Sequence, residues 1–223
     1  MSRPLGARPD ILNDEMAARA YVAGLCDDAA MARLEMFANL LLEENSRQNL
    51  ISKASENTLW VRHLADSAQL LEHVPRETWG EGPWLDLGTG AGFPGIVIAA
   101  LLPELPMVLV ESRPRRVEFL ERVVRELGLL RCQVKGERLE RVSPFPARVI
   151  SARAFAPLEK LLRLSAPFST KETLYLLPKG RSAAHELAEQ KHSIRTMFHV
   201  EHSLTDREAG IIVNRLASKA AIK

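Results

Sequence analysis

Cysteine is scarce in this chain: two residues in 223, Cys26 and Cys132, set far apart. That excludes a disulfide framework and any cysteine-rich metal spacing, and both are expected to be reduced, incidental thiols. No run approaches the roughly 18 uninterrupted apolar residues that a spanning helix needs. The opening Met1-Ser2-Arg3-Pro4-Leu5-Gly6 lacks the apolar core of a secretory signal. A cytoplasmic protein without membrane association is expected, and internal repeats and long low-complexity tracts are absent. With 46% apolar and 26% charged residues, the composition fits an ordered chain with one sizeable core.

The net charge is only +2, yet it is unevenly spread. Between Arg113 and Arg181 there are 16 basic and seven acidic residues, whereas the remainder is acidic overall. Such asymmetry suits a surface that faces a polyanion; scattered, solvated helix faces would produce it equally well.

Residues 1–82 read as a helical extension. Asn13, followed by Asp14 and Glu15, makes a suitable cap for a first helix. Ala30, Met31, Leu34, Phe37, Ala38 and Leu41 fit a second helix to about Arg47. A third is expected from Ser55 to Val74, ahead of Pro75. Trp79 to Pro83 breaks the pattern as a linker. Residues 83–223 then alternate short apolar runs with amphipathic helices. Strands are expected at Trp84–Leu87, Met107–Glu111, Cys132–Lys135, Val149–Ala152 and Leu174–Leu177. Helices are expected at Ile96–Leu102, Arg115–Leu127, Leu158–Ser165 and Ala183–Gln190. Continuous apolar strands imply burial on both faces, hence a Rossmann-like, doubly wound, mostly parallel α/β sheet. Ser193–Val200 and Gly210–Leu216 are expected to close it as an antiparallel hairpin.

The most specific segment is Leu85-Asp86-Leu87-Gly88-Thr89-Gly90-Ala91-Gly92-Phe93-Pro94-Gly95, placed between a strand and a helix. Glycines there permit a sharp turn and bring a ligand close to the backbone. The loop has no Lys-Ser/Thr pair, so it is not a triphosphate loop. Its third glycine comes one residue earlier than the dinucleotide motif requires, with Phe93 in the place reserved for glycine. Glu111, about twenty residues on at the end of the second strand, is suited to the two hydroxyls of a ribose. S-adenosyl-L-methionine has a ribose and no pyrophosphate, which matches the shorter, bulkier loop.

Four separated segments carry a resemblance. Asn49-Leu50-Ile51-Ser52, Arg62-His63-Leu64-Ala65-Asp66-Ser67, the loop Asp86–Gly95, and Ala152-Arg153-Ala154-Phe155-Ala156-Pro157-Leu158 with Leu177-Pro178-Lys179-Gly180 occur in order. Together they resemble the bacterial small-subunit ribosomal RNA guanine-N7 methyltransferase G family, also called the glucose-inhibited division protein B family. The resemblance implies a class I S-adenosylmethionine-dependent methyltransferase that acts on N7 of one guanine of 16S rRNA, alone or within the small ribosomal subunit. It places cofactor contacts at Gly88, Gly90, Phe93, Leu139, Glu140 and Arg153, beside Glu111. With the match, Arg62, His63 and Asp66 are expected to guide the nucleotide, and Asn49 stands in a matched segment; Arg115, Arg138 and Lys179 are expected at the RNA from their charge and position. Arg148, where the family suggests an acidic residue, is the one departure. No metal is implied, and a monomer is expected.

The chemistry agrees with what is missing. Guanine N7 carries an in-plane lone pair and no proton, so attack on a sulfonium methyl needs alignment and charge support but no general base. The chain has no [DNS]-P-P-[FYW] segment after the fourth strand, as exocyclic-amine methyltransferases do, and no cysteine there for covalent attack on a pyrimidine. Arg113, Arg115 and Arg116 sit at a helix start, where cations oppose the macrodipole and a phosphate partner would explain them. Three other readings remain at this point: a class I methyltransferase with another substrate, a non-catalytic RNA-binding module, and a nicotinamide dehydrogenase.

Overall fold

The computed structural model describes residues 11–75 and 82–215. Most of the expected linker, the opening residues and the end of the last expected strand lie outside that range. Two helices come first, α1 (Glu15–Ala23) and α2 (Asp28–Asn45). An aspartate caps each: Asp14 accepts the Ala17 amide at 2.7 Å, and Asp27 accepts that of Ala30 at 2.8 Å. The first cap is therefore Asp14 rather than Asn13; a carboxylate satisfies the free amide and also meets the positive end of the helix. Leu34, Phe37, Ala38 and Leu41 form the buried stripe of α2.

The expected third helix is broken into pieces. A short α3 (Lys53–Glu56) is followed by a π-helical turn, Trp60–Ala65, then α4 (Asp66–Ala68) and a 3-10 turn, Gln69–His73. Glu15 of α1 reaches over the start of the π turn, its two oxygens accepting the Trp60 and Val61 amides at 3.0 Å each. That turn carries Arg62 and His63, and π turns recur at functional positions.

The α/β part runs β1 (Trp84–Leu87), α5 (Gly95–Leu101), β2 (Met107–Val110), α6 (Pro114–Glu126), β3 (Cys132–Lys135), β4 (Val149–Ser151) and α7 (Leu158–Ser165). It continues through β5 (Leu174–Gly180), α8 (Ala183–Ala188), α9 (His192–Met197), β6 (Phe198–His202) and β7 (Gly210–Asn214). The sheet order is β3-β2-β1-β4-β5-β7-β6. Strands β1 to β5 pair in parallel; β7 pairs antiparallel with both β5 and β6. The doubly wound sheet and its antiparallel end match expectation. One boundary does not: Ser193 to Met197 lies in α9, and β6 begins only at Phe198.

Alternate strand residues enter two cores, as strands covered on both faces require. Trp84, Met107, Leu109, Val149, Leu174 and Leu176 pack with α1, α2 and α5. Leu85, Leu87, Val110, Ile150, Tyr175 and Leu177 pack with α7 and α8 on the other face. The amino-terminal helices therefore share a core with the sheet. Strand order reverses at β1, between β2 and β4, and open α/β sheets hold ligands at the carboxyl side of such a switch point.

Candidate active site

The loop that leaves β1 is shaped from below by a buried carboxylate. Asp86 Oδ2 accepts the Gly95 amide at 3.0 Å, while Ser151 donates to Oδ1 at 2.6 Å. Ser151 in turn accepts the Trp84 indole N–H at 2.8 Å. Burial pushes the Asp86 carboxyl above its ordinary range, against the hydrogen bonds it accepts. Gly88 and Gly90 hold φ of 63° and 61°, the left-handed region that costs any side chain. A Cβ on Gly88 would come within 2.6 Å of Phe155, so this residue must be bare.

Above the loop, at the carboxyl ends of β1, β4 and β5, opens a cavity of about 1180 Å³. Gly88, Gly90, Phe93, Arg62, His63, Asp66, Arg153 and Lys179, all expected at the site, line it. The pockets of single small ligands measure roughly 300–1,000 Å³, so this one has room for more than one group.

Its centre is a cluster joined across the chain. Arg153, just past β4, lies 2.7 Å from His63 Nδ1 and 3.3 Å from Asp66 Oδ2. A guanidinium has no lone pair to offer, so His63 Nδ1 accepts and the imidazole proton sits on Nε2. That Nε2 is buried and has no partner among the described residues. Burial first, then Arg153 and Arg62, pulls the His63 pKa down to about 3. His63 stacks on Phe93, centroids 4.8 Å apart at 19°, and the Arg153 guanidinium lies 5.2 Å from the Phe93 ring centre. Asp66 Oδ1 accepts from Gln69 at 2.9 Å and from Thr205 at 2.8 Å. Burial raises the Asp66 carboxyl; Arg153 and the Thr205 hydroxyl oppose the rise.

Other expected residues lie outside the cavity lining or, like Lys179, are tied to protein groups at its wall. Glu111 is buried beneath the loop and turned onto backbone, accepting Gly90 at 3.1 Å, Ser112 at 2.7 Å and Arg113 at 2.9 Å. That uses three of about four lone-pair positions of a carboxylate. Leu139 is buried and Glu140 exposed in a 3-10 turn, Leu139–Arg141, outside the cavity lining. Arg138 is exposed and likewise outside it. Arg115 borders a separate hollow beside Gln48 and Arg122, and its neighbour Arg116 lines the main cavity instead. Lys179 is held from both sides, donating to the Ala156 carbonyl at 2.8 Å and pairing with Glu186 at 3.0 Å. Asn49 is exposed, whereas Leu50, Ile51 and Ser52 face the cavity.

Sequence reasoning passed over Asn45 and the β6–β7 turn. Asn45, buried at the end of α2, accepts the Leu50 and Ile51 amides at 2.7 and 2.9 Å and donates to Glu56 at 2.7 Å. Thr205 and Asp206 enter the cavity from a turn with no motif of its own. A polar residue ending an apolar helical stripe was the available signal for Asn45; nothing marked Thr205. Among the described residues no group of histidine, cysteine and carboxylates could hold a metal ion, and no helix is long and apolar enough to cross a membrane.

A family model described as GidB, rRNA small subunit methyltransferase G, matches residues 30–210. The chain belongs to this family. A protein named ribosomal RNA small subunit methyltransferase G from Erythrobacter litoralis is 58% identical over 205 residues, covering 92% of this chain and 98% of its own. A protein of the same name from Novosphingobium aromaticivorans is 54% identical over 204 residues, covering 91% and 88%. Among solved structures, a precorrin-6y C5,15-methyltransferase from Geobacter metallireducens superposes with a TM-score of 0.53 at 14% identity, covering 76% of this chain and 92% of its own. A variant of MtNAS in complex with S-adenosylmethionine gives 0.52 at 16%, covering 92% and 85%. These two likenesses concern the fold, which is that of the class I S-adenosylmethionine-dependent methyltransferases.

Proposed function

We propose that this chain transfers the methyl group of S-adenosyl-L-methionine to N7 of one guanine in 16S rRNA, in the cytoplasm, as free RNA or within the small subunit. Family membership supports the rRNA substrate and the cofactor. The choice of N7 follows the family resemblance, and one observation supports it: the buried imidazole of the cavity has its only lone pair engaged by Arg153. Asp66 is likewise surrounded by donors from Gln69, Thr205 and Arg153. A site that must strip a proton from an exocyclic amine or hydroxyl needs a free base within reach. Guanine N7 has no proton to lose.

The loop suits the cofactor. Gly90 faces open space, since a Cβ there would meet no atom nearer than Arg116 Nη1 at 3.5 Å. The bound cofactor supplies an electrophilic methyl on a sulfonium. Gly88 and Gly90 admit the adenosyl group close to the backbone, Glu111 stiffens the loop by holding Gly90, and Phe93 walls the cavity. Arg153, which lines the cavity while holding His63 and Asp66, would meet the carboxylate of the methionine moiety. Leu139 and Glu140 rest on the family resemblance alone. His63, Asp66 and Arg62 then orient the nucleotide, with Arg116 on the cavity wall; Asn49, Arg115, Arg138 and Lys179 are assigned to the ribose-phosphate chain on the resemblance and their charge alone. Alignment and exclusion of water, rather than proton transfer, are what these residues contribute. The cavity is complete within one chain, so a monomer suffices.

Borohydride–aniline cleavage of 16S rRNA with primer extension tests this reading. RNA from a deletion strain is expected to lose one N7-methylguanine stop that the restored gene returns. Undiminished cleavage at every such position rejects it.

A further inference from the structure

The turn between β6 and β7 places a carboxylate between two arginines at the mouth of the cavity. Asp206 Oδ2 lies 3.6 Å from Arg62 Nη1 and 3.8 Å from Arg181 Nε, so one oxygen bridges a guanidinium from the π turn and one from the segment after β5. Glu208 adds a second oxygen to Arg181 at 2.9 Å. Both arginine side chains are open to solvent, 56% and 74% exposed, whereas Asp206 is only 20% exposed. Exposed ion pairs of this kind are individually weak and easily exchanged.

The turn itself is firmly held. Leu204 N–H donates to Gln69 at 2.7 Å, and the Thr205 hydroxyl donates to Asp66 at 2.8 Å. The Ala209 amide closes back on the Asp206 carbonyl at 3.1 Å. Releasing the arginines requires that the Asp206 and Glu208 side chains rotate away, at the cost of the bond from the Glu208 amide to Asp206 Oδ1 at 3.0 Å. Arginine forks suit phosphate oxygens, and a phosphodiester presents an anionic oxygen much as Asp206 does here.

We propose that Arg62 and Arg181 form a phosphodiester-binding pair whose resting occupant is Asp206, with Glu208 assisting, and that incoming RNA displaces these carboxylates. The proposal rests on the RNA substrate assigned above. In the free protein the turn screens two positive charges at the cavity mouth; on binding, Asp206 is left to solvent and recruits a cation. That cation uptake partly cancels the ions released from RNA, so the wild-type chain shows a shallower salt dependence than its count of phosphate contacts implies.

The test is filter binding of unmethylated 16S rRNA to the full chain over a range of KCl concentrations. D206N, E208Q, R181Q and D206N/R181Q are compared with wild type. D206N keeps the side-chain oxygen that accepts the Glu208 amide and is expected to bind about two- to tenfold tighter, with a log–log salt slope steeper by about 0.7. R181Q is expected to weaken binding, and in D206N/R181Q the gain should shrink. E208Q, which removes only one contact to Arg181, should give a smaller gain and serves if D206N lowers the melting temperature. Equal or weaker RNA binding by D206N and E208Q overturns the proposal while leaving the substrate assignment intact. Absence of RNA binding by the wild-type chain at low salt overturns both. Titration with inorganic phosphate alone separates the sources: tightening for phosphate but not for RNA would make the pair a free-anion site and overturn the RNA version.

Discussion

Arg153 and His63 stand ninety positions apart in sequence, yet Arg153 Nη2 lies 2.7 Å from His63 Nδ1 and fixes the imidazole as a neutral Nε2–H donor. The contact ties the end of β4 to the π-helical turn, and with it the cofactor side of the cavity to the amino-terminal helices.

The protonation of His63 has a measurable consequence. Its pKa falls from 6.5 to about 3 on folding, chiefly through burial. Between those values the unfolded chain holds the extra proton, so the stability contributed by neutral His63 is present above pH 6.5 and is lost as the pH falls toward 3. Replacing His63 by Phe should make stability less pH-dependent between about pH 4.5 and 6, by up to about 1.4 kcal/mol per pH unit. Urea titrations at several pH values measure this, and parallel slopes for the two proteins would contradict it. The same neutrality predicts no limb near pH 6.5 in the wild-type kcat profile.

Removing Arg153 strands Asp66. Their side chains are 27% and 19% exposed, so solvent softens the penalty. R153M is expected to cost about 2 kcal/mol, and adding D66N should recover part of it. R153K keeps the charge but cannot serve His63 and Asp66 together as the fork does, and should lower kcat/KM by at least about tenfold. Thermal melts and single-turnover methylation read the two effects separately.

Two glycines separate strain from ligand space. Gly88 and Gly128 share nearly the same φ, 63° and 64°, but only the Gly88 Cβ would strike another side chain, Phe155 at 2.6 Å. Both alanine variants should lose about 1–2 kcal/mol from backbone strain, with Gly88→Ala losing more. Calorimetry should find S-adenosylmethionine affinity unchanged in Gly128→Ala and reduced well over tenfold in Gly88→Ala. Equal affinities would contradict the placing of the cofactor over this loop.

Asn45 and Asn49 make a similar contrast. N45A removes the acceptor of two buried amides and should cost about 1–3 kcal/mol, loosening Leu50 to Ser52 at the cavity wall. N49A alters an exposed side chain and should leave the melting temperature nearly unchanged.

Much of the fold could be read from local pattern, because strands such as Met107–Val110 and the Leu174–Leu177 part of β5 are short, continuous apolar runs covered on both faces. The break at Trp60–Ala65 could not: Glu15, far off in sequence, serves amides that a regular helix would use otherwise. The strand expected from Ser193 begins only at Phe198, because Ile194 and Met197 stand three apart, a spacing that suits the short α9. At the site, the glycine loop and the Arg62–His63–Asp66 helix stood out because their residue types and spacing are specific. Glu111 was placed rightly at the end of β2, but spacing did not reveal that its carboxylate turns down onto Gly90. Thr205 and Asp206 reach the cavity only because β7 returns antiparallel beside β5, a long-range pairing with no local signal.

Methyl transfer to guanine N7 without a base leaves a defined product. Purified chain, methyl-labelled S-adenosylmethionine and small subunits from a deletion strain, followed by nucleoside mass spectrometry, address it directly. One labelled methyl per subunit is expected, recovered as 7-methylguanosine. Label on an exocyclic amine, a ribose or a pyrimidine carbon, or no transfer by a chain that binds the cofactor, would contradict it.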